Sequence, residues 1–251
     1  LIPAILCFLF AFLMQIDANF INDLYDYLKG SDREDRLGPE RACAQGWISP
    51  SGMKKGILVT TALAAVTGLF LLGYGGWEMI PVGIAFLYTT GPYPLAYHGW
   101  GDILVLVFFG FVPVGCTFYV MAHDWNTSVT MASLACGFVI DTLLMVNNFR
   151  DREQDAISGK KTIVVRLGAR AGLILYFLLG LAACWSCFYF VTEGRLWAAI
   201  LPQIYLLFHI LTTMKMARIN RGKELNAILG ETSRNMLLFG ILLTAGLLIP
   251  A

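Results

Sequence analysis

The sequence predicts an all-α protein, a polytopic membrane helix bundle with eight transmembrane helices in one domain over residues 1–251. Three observations predict it. First, 57% of the 251 residues are hydrophobic and 14% are charged, with mean hydropathy +0.67. A soluble globular chain carries roughly 25% charged residues, so there is too little polar surface here to coat a body of this size. Second, the apolar residues come in long unbroken runs. Third, the charges are gathered between those runs. The same figures exclude other classes. Apolar content this high without low-complexity tracts excludes disorder. A net charge of +1 excludes the broad basic footprint of a nucleic-acid binder, so no nucleic-acid partner is expected.

A helix needs roughly 20 mostly apolar residues to cross a bilayer. Leu1–Ile16 starts the first span, which continues past Asp17 toward Leu28. Gly56–Trp77, Met79–Gly101 and Ile103–His123 supply the next three. Trp125–Ile140 continues past Asp141 to Phe149 as the fifth. Ala171–Thr192, Leu196–Met214 and Asn235–Ala251 complete the set, the last being the shortest. These runs are continuous and do not alternate, which argues against barrel strands. No signal-peptide pattern is visible, and the chain opens at Leu1 inside an apolar segment. The expectation is that a segment before it, with another helix, is missing.

Seventeen of the eighteen Lys and Arg residues fall in three loops, after the first, fifth and seventh spans, and Arg195 is the exception. Alternating the spans in and out puts all three loops on one side, which the positive-inside rule makes cytoplasmic. The loop near Tyr93–Asp102 falls on that side too. Cysteine adds little. Cys184 and Cys187 form a CxxC inside a predicted span, where two small buried apolar side chains are a plainer reading than a redox or metal pair. His98, His123 and His209 are scattered and suggest no metal site.

Two acidic motifs stand out at the cytoplasmic ends of spans. The first runs from Asn19 through Asn22, Asp23 and Asp26 to Asp32. Asn22 and Asp26 are four apart, and Asn19, Asp23 and Asp26 share a stripe, so on a helix they present common faces. The second runs from Asn147 and Asn148 through Asp151 to Asp155, with Asn147, Asp151 and Asp155 at steps of four. A helix C-terminus is the negative end of the macrodipole, so carboxylates gathered there need compensating positive charge. Lys and Arg nearby supply some. Mg²⁺ would supply more, because it takes oxygen ligands and bridges one or two carboxylates to substrate phosphates. Arg36 and Arg41 follow the first motif, and Lys160, Lys161 and Arg166 follow the second. Acidic residues with basic neighbours are what a metal–diphosphate substrate requires. Ordinary interfacial polar residues are the bland alternative. It must explain two clusters with the same spacing, on the same side, each followed by a basic loop.

These residues resemble the N-D-x-x-D and D-x-x-x-D motifs of the UbiA superfamily of intramembrane aromatic prenyltransferases. Within it, the resemblance is nearest to the MenA-type branch that prenylates 1,4-dihydroxy-2-naphthoate. Asn19–Arg41 resembles that branch's first loop, with Lys29-Gly30-Ser31-Asp32 and Asp35-Arg36-Leu37-Gly38-Pro39. Asn147–Asp155, Gly159-Lys160-Lys161-Thr162 and Val165-Arg166-Leu167-Gly168 resemble its second. Gly99-Trp100-Gly101-Asp102 and Phe108-Phe109-Gly110 resemble its middle loop and following helix. Where the wider superfamily often has a third Asp after the one matching Asp26, this chain has Gly30, as the MenA-type branch does. That leaves the role of Asp32 open. The family fold has nine helices against eight here, which implies that the first is missing.

The resemblance implies transfer of a polyprenyl group from its diphosphate to 1,4-dihydroxy-2-naphthoate in menaquinone synthesis, with loss of CO₂ and diphosphate. The lipid bilayer and the two substrates are the implied partners, with no obligatory protein partner evident. The implied place is a bacterial inner (cytoplasmic) membrane, with the active site at its cytoplasmic face. Two Mg²⁺ ions bridging the diphosphate are implied, one at Asn22, Asp23 and Asp26, the other at Asp151 and Asp155. Arg36, Arg41, Lys160, Lys161 and Arg166 are candidate diphosphate partners, and Arg41 equally a partner for the acceptor carboxylate. Tyr93, Tyr97 and Trp100 are candidates to shield an allylic cation or hold the acceptor, since cations favour π faces. The alternative for these three is an interfacial aromatic belt. Asn19, Asp32, Asn147 and Asn148 are further candidates. Asp17 and Asp141 lie deeper, and intramembrane carboxylates are functional hypotheses by default. Three other readings compete. One is the same fold acting on 4-hydroxybenzoate or homogentisate. Another is an ion-coupled transporter, although the acidic clusters lie at one face and not at a midplane. The third, an alcohol phosphatidyltransferase, lacks its D-G-x-x-A-R opening.

Overall fold

The computed structural model describes residues 1–28, 37–80 and 99–250. The described residues are nearly all helical, as expected. The helices are α1 (Ile2–Leu28), α2 (Pro50–Gly75), α3 (Gly101–Ala122), α4 (Thr127–Ile157), α5 (Ile163–Leu167), α6 (Ala169–Val191), α7 (Leu196–Ile219) and α8 (Leu225–Leu248). By length and composition, α1, α2, α3, α4, α6 and α7 can each cross a membrane. The expected span Met79–Gly101 lies mostly outside the described residues. The expected final span is the C-terminal part of α8, which starts ten residues earlier and carries Glu231 and Arg234 in its first half.

Contacts divide the chain into two compact units. One holds residues 1–84 and 117–124, and the other residues 85–116 and 125–251. In the first unit α1 packs along α2. Ser49 caps α2 by accepting from the Gly52 amide at 3.1 Å, and Pro50 follows at the first helical position. Asp17 is buried in this pair, and both Thr60 and Thr61 of α2 donate to its carboxylate, the latter at 2.9 Å. A carboxylate inside an apolar helix pair demands such donors. At the end of the pair, Leu24, Cys43 and Met53 form a small core with Phe20 and Ile57 packed against it.

In the second unit α4 is the central helix. Asn126 caps it, accepting from the Val129 amide at 3.0 Å. It packs against α3, α5, α6 and α8. One core joins Ala135 and Val139 of α4 to Ala183, Cys187, Tyr205 and Phe239. A second joins Met145, Val146 and Phe149 to Val164, Tyr176, Met216 and Ile228. The middle of α3, Leu106–Cys116, is wound as a π-helix and contains Pro113. Proline removes a backbone donor, and such widened turns relieve the misfit. Gly110 there lies against α4. A Cβ added to it would sit 2.6 Å from the Ser133 carbonyl oxygen and 2.9 Å from the Gly137 Cα. The second acidic motif lies on about the last three turns of α4, so its four-residue steps are helical, as expected.

The α3–α4 contact should not tolerate a side chain at Gly110. Gly110→Leu should lower the melting temperature of the detergent-solubilised protein, with a cost of about 1–3 kcal/mol from overpacking. Gly73→Ala, where nothing lies within 4 Å of the added Cβ, should leave it unchanged or raise it.

Candidate active site

α1 runs unbroken through the first motif to Leu28, so Asn19, Asn22, Asp23 and Asp26 are all helical. Their environments differ. Asn19 and Asn22 are exposed, Asp26 is half-buried, and Asp23 is buried. The Asp23 carboxylate faces the turn at 41–46. Its Oδ2 accepts from the Ala42 amide at 2.9 Å and its Oδ1 from the Cys43 amide at 3.0 Å. Each oxygen keeps a further lone pair, but the backbone bonds give Asp23 a clear task, tying the loop after the motif to the end of α1. The same turn brings Arg41 over Asp26, with Nη2 3.5 Å from Oδ2. The sequence places Arg41 fifteen residues away, and only the fold brings it back. Asp32 and Arg36 lie outside the described residues, as do Tyr93 and Tyr97.

The second motif is more densely paired. Arg150, 5% exposed, grips Asp151 with two bonds, Nε to Oδ1 at 2.7 Å and Nη2 to Oδ2 at 2.6 Å. Its Nη1 donates to Asn226 Oδ1 at 2.9 Å, which ties the motif to the start of α8. Two parallel bonds of this kind fix both charge and orientation. One turn on, Asp155 is buried, and Lys160 Nζ lies 3.5 Å from its Oδ1. The Lys160 amide also closes on the Asp155 carbonyl at 2.9 Å, so the 158–162 loop folds back over the helix end. Asn148 is buried, while Asn147 is half-buried and donates to the Leu143 carbonyl oxygen at 3.2 Å. Thr162 caps α5, accepting from the Val165 amide at 3.3 Å. Arg166 on α5 lies against the 99–102 turn, its guanidinium 3.3 Å from where a Gly99 Cβ would be. Lys161 and Trp100 are exposed.

These elements enclose a recess of ≈ 50 Å³. Gly99, Gly101 and Asp102 form one side, Leu144 and Asn148 of α4 the next, and Lys160 and Thr162 the third. The structure thus gathers Asn148, Lys160, Arg166 and Asp155 of the expected residues into one region of the second unit. Asp102 and Arg150 are the residues that the sequence reading quoted without giving them a role. An Arg directly before the motif's first Asp was the available signal for Arg150.

Among the described residues, no group of three or more His, Cys, Asp or Glu side chains is gathered as a metal cage. Mg²⁺ needs no such cage when a phosphate substrate completes its shell. The Asp155 Oδ2 is buried and has no hydrogen-bond partner in the protein, and the candidate ligands Asp151 and Asp155 offer carboxylate oxygens. That donor set fits Mg²⁺. It does not suit zinc or copper, which prefer nitrogen and sulfur.

Cys43 gives a direct probe of the Asp23 clasp. Burial pushes its thiol up from the ordinary range, and the Asp23 carboxylate beside it pushes the same way. A thiol held protonated is a poor nucleophile. Maleimide labelling of Cys43 at neutral pH should therefore be slow. Asp23→Ala should speed it several-fold by releasing the loop and removing the negative neighbour, as read by mass spectrometry of the labelled peptide.

The sequence matches the UbiA prenyltransferase family over residues 1–248. It is 35% identical to a 1,4-dihydroxy-2-naphthoate octaprenyltransferase of Haemophilus influenzae, over 98% of this chain and 83% of that protein. It is 34% identical to the Escherichia coli protein of the same description, over 77% of this chain and 67% of that one. A UbiA prenyltransferase domain-containing protein 1 homolog of Drosophila melanogaster is 26% identical, over 89% of this chain and 63% of the other. In fold, the chain is similar to a solved structure from work on digeranylgeranylglyceryl phosphate synthase in membranes. The TM-score is 0.62 at 19% identity, covering 98% of this chain and 85% of that one. The apolar helices and these relatives together make this an integral membrane protein, and the chain belongs to the UbiA prenyltransferase family.

Proposed function

We propose that this chain transfers a polyprenyl group from polyprenyl diphosphate to 1,4-dihydroxy-2-naphthoate, releasing CO₂ and diphosphate and giving demethylmenaquinol, the two-electron-reduced form of demethylmenaquinone. The observation that carries this reading is the 35% identity, over nearly the whole chain, to a relative described by that activity. The chemistry of the residues supports it. Diphosphate leaves readily only when its charge is neutralised. Mg²⁺ would supply Lewis-acid neutralisation there, one ion at Asn22, Asp23 and Asp26 and one at Asp151 and Asp155. Arg150 holds the Asp151 carboxylate in one orientation, and the unpartnered Oδ2 of Asp155 keeps a position for a cation. Lys160 and Arg166, with Arg36, Arg41 and Lys161, supply positive charge for the departing diphosphate, where preorganised charge is worth most. Trp100, with Tyr93 and Tyr97 as further candidates from the sequence, would shield the allylic carbon with π faces.

The polyprenyl tail needs an apolar medium, and the chain's membrane helices provide it. The reaction is placed at the cytoplasmic face of a bacterial inner membrane. The choice of face rests on seventeen of eighteen basic residues falling in three segments that alternation of the expected spans puts on one side.

With purified protein, prenylation of the naphthoate should stop on chelation of Mg²⁺ and return on its addition. Asp26→Ala and Asp151→Ala should each lower kcat about 100-fold or more, the scale seen when one stabiliser of transition-state charge is removed. A radiolabelled prenyl diphosphate assay measures both. Wild-type rates in either folded variant would remove that residue from the site.

A further inference from the structure

Two carboxylates with buried oxygens, one of them in the wall of the recess, have no use in either motif. Asp102 forms part of that wall. Asp141 sits on α4 one turn deeper than Leu144, in line with Asn148 and Asp155 at seven-residue steps. Asp141 is 4% exposed. The Oδ1 atoms of Asp102 and Asp141 are buried and have no hydrogen-bond partner in the protein. Buried polar atoms are almost always satisfied, and exceptions call for a water, a ligand or a chemical role. The elements packed on α4 carry other titratable groups, among them Arg166 on α5, Tyr176 and Cys184 on α6, and Glu231 on α8. Among the described residues, Asp102 is the one whose charge acts on Asp141. Lys160 stands across the recess from Asp102, already drawn toward Asp155. Carboxylates that act on one another away from water resist ionising together.

We propose that Asp102, backed by Asp141, receives the ring hydroxyl of the aromatic acceptor and takes its proton during prenyl transfer. This rests on the prenylation reaction proposed above. Asp102 is the catalytic residue, and Asp141 is a positioning residue that sets its basicity. The hydroxyl O–H bond breaks and its proton goes to Asp102. The ring carbon bearing the carboxylate bonds to the allylic carbon. The allylic C–O bond breaks, and its electron pair leaves with diphosphate. The ring is then a ketone with a carboxylate on the neighbouring carbon. Loss of CO₂ returns the C–C pair to the ring as an enolate, and the enolate oxygen takes the proton back from Asp102. No oxidant and no net proton is needed.

The test uses the full chain in lipid nanodiscs with the naphthoate and a prenyl diphosphate. Asp102→Asn should lower kcat about 100-fold, the lower end of general-base effects, with KM for the prenyl diphosphate unchanged. Asp141→Asn should move the acid limb of the kcat/KM profile to lower pH, because Asp102 loses a like-charged neighbour and holds its proton less tightly. A wild-type profile and rate in both variants would overturn the proposal, as would equal loss of affinity for both substrates. The acceptor methylated on the hydroxyl next to its carboxylate keeps the test open if a variant fails to fold. With the unaltered protein it should bind competitively and not turn over, and turnover at the parent rate would overturn the proposal. If the unaltered protein prenylates another phenol and not the naphthoate, the substrate reading fails, and the same variants test the pair on that phenol.

Discussion

A carboxylate inside an apolar helix bundle must find a donor, a cation or a proton, and this requirement organises the chain. Ionised carboxylates are expensive in a low-dielectric surround. Asp17 is met by two threonine hydroxyls from the neighbouring helix. Asp23 is met by two backbone amides, and Asp151 by both arms of Arg150. Each pairing also fixes a piece of structure: the α1–α2 contact, the loop after the first motif, and the link from α4 to the start of α8. Against this background, three buried carboxylate oxygens without a hydrogen-bond partner among the described residues are conspicuous, one each on Asp102, Asp141 and Asp155. Asp141 and Asp155 share one stripe of α4, and Asp102 lines the recess beside that stripe. The pairings of Asp23 and Asp151 fix the frame and aim those carboxylates, and the unpartnered oxygens are additional places where chemistry belongs.

Much of this was legible in the sequence because bilayer helices are long and their periodicity is simple. Continuous apolar runs gave the helices, and steps of four in both motifs placed their side chains on helices that do extend through them. The last helix was placed less well. Its first half carries Glu231, which a hydropathy reading alone rejects and which pairs with Lys215 at 2.7 Å. The π-wound middle of α3 was also not legible, since Pro113 signals a disturbance without saying which form it takes.

Partners were the least legible feature. Nothing in the spacing of Asp23 says that its oxygens face the amides of Ala42 and Cys43, because that contact depends on how the loop turns back. Lys160 at Asp155 and Arg41 at Asp26 were nameable as nearby charges, but their partners were not. The sequence ranked Asp141 low because it stands outside both motifs. Its seven-residue step to Asn148 becomes meaningful only once Asn148 is seen to line a recess. CxxC motifs invite a redox reading, yet Cys184 and Cys187 are buried and donate to carbonyl oxygens of Pro202 and Ala183, so they behave as small core residues.

The account is tested most directly by product analysis with competing acceptors. Purified protein would be given one polyprenyl diphosphate, Mg²⁺ and an equimolar mixture of 1,4-dihydroxy-2-naphthoate, 4-hydroxybenzoate and homogentisate. Mass spectrometry would then read the prenylated products. The account predicts a prenylated naphthalene ring lacking the carboxylate, with the two phenols recovered unchanged. A prenylated 4-hydroxybenzoate that keeps its carboxylate, with the naphthoate untouched, would contradict it.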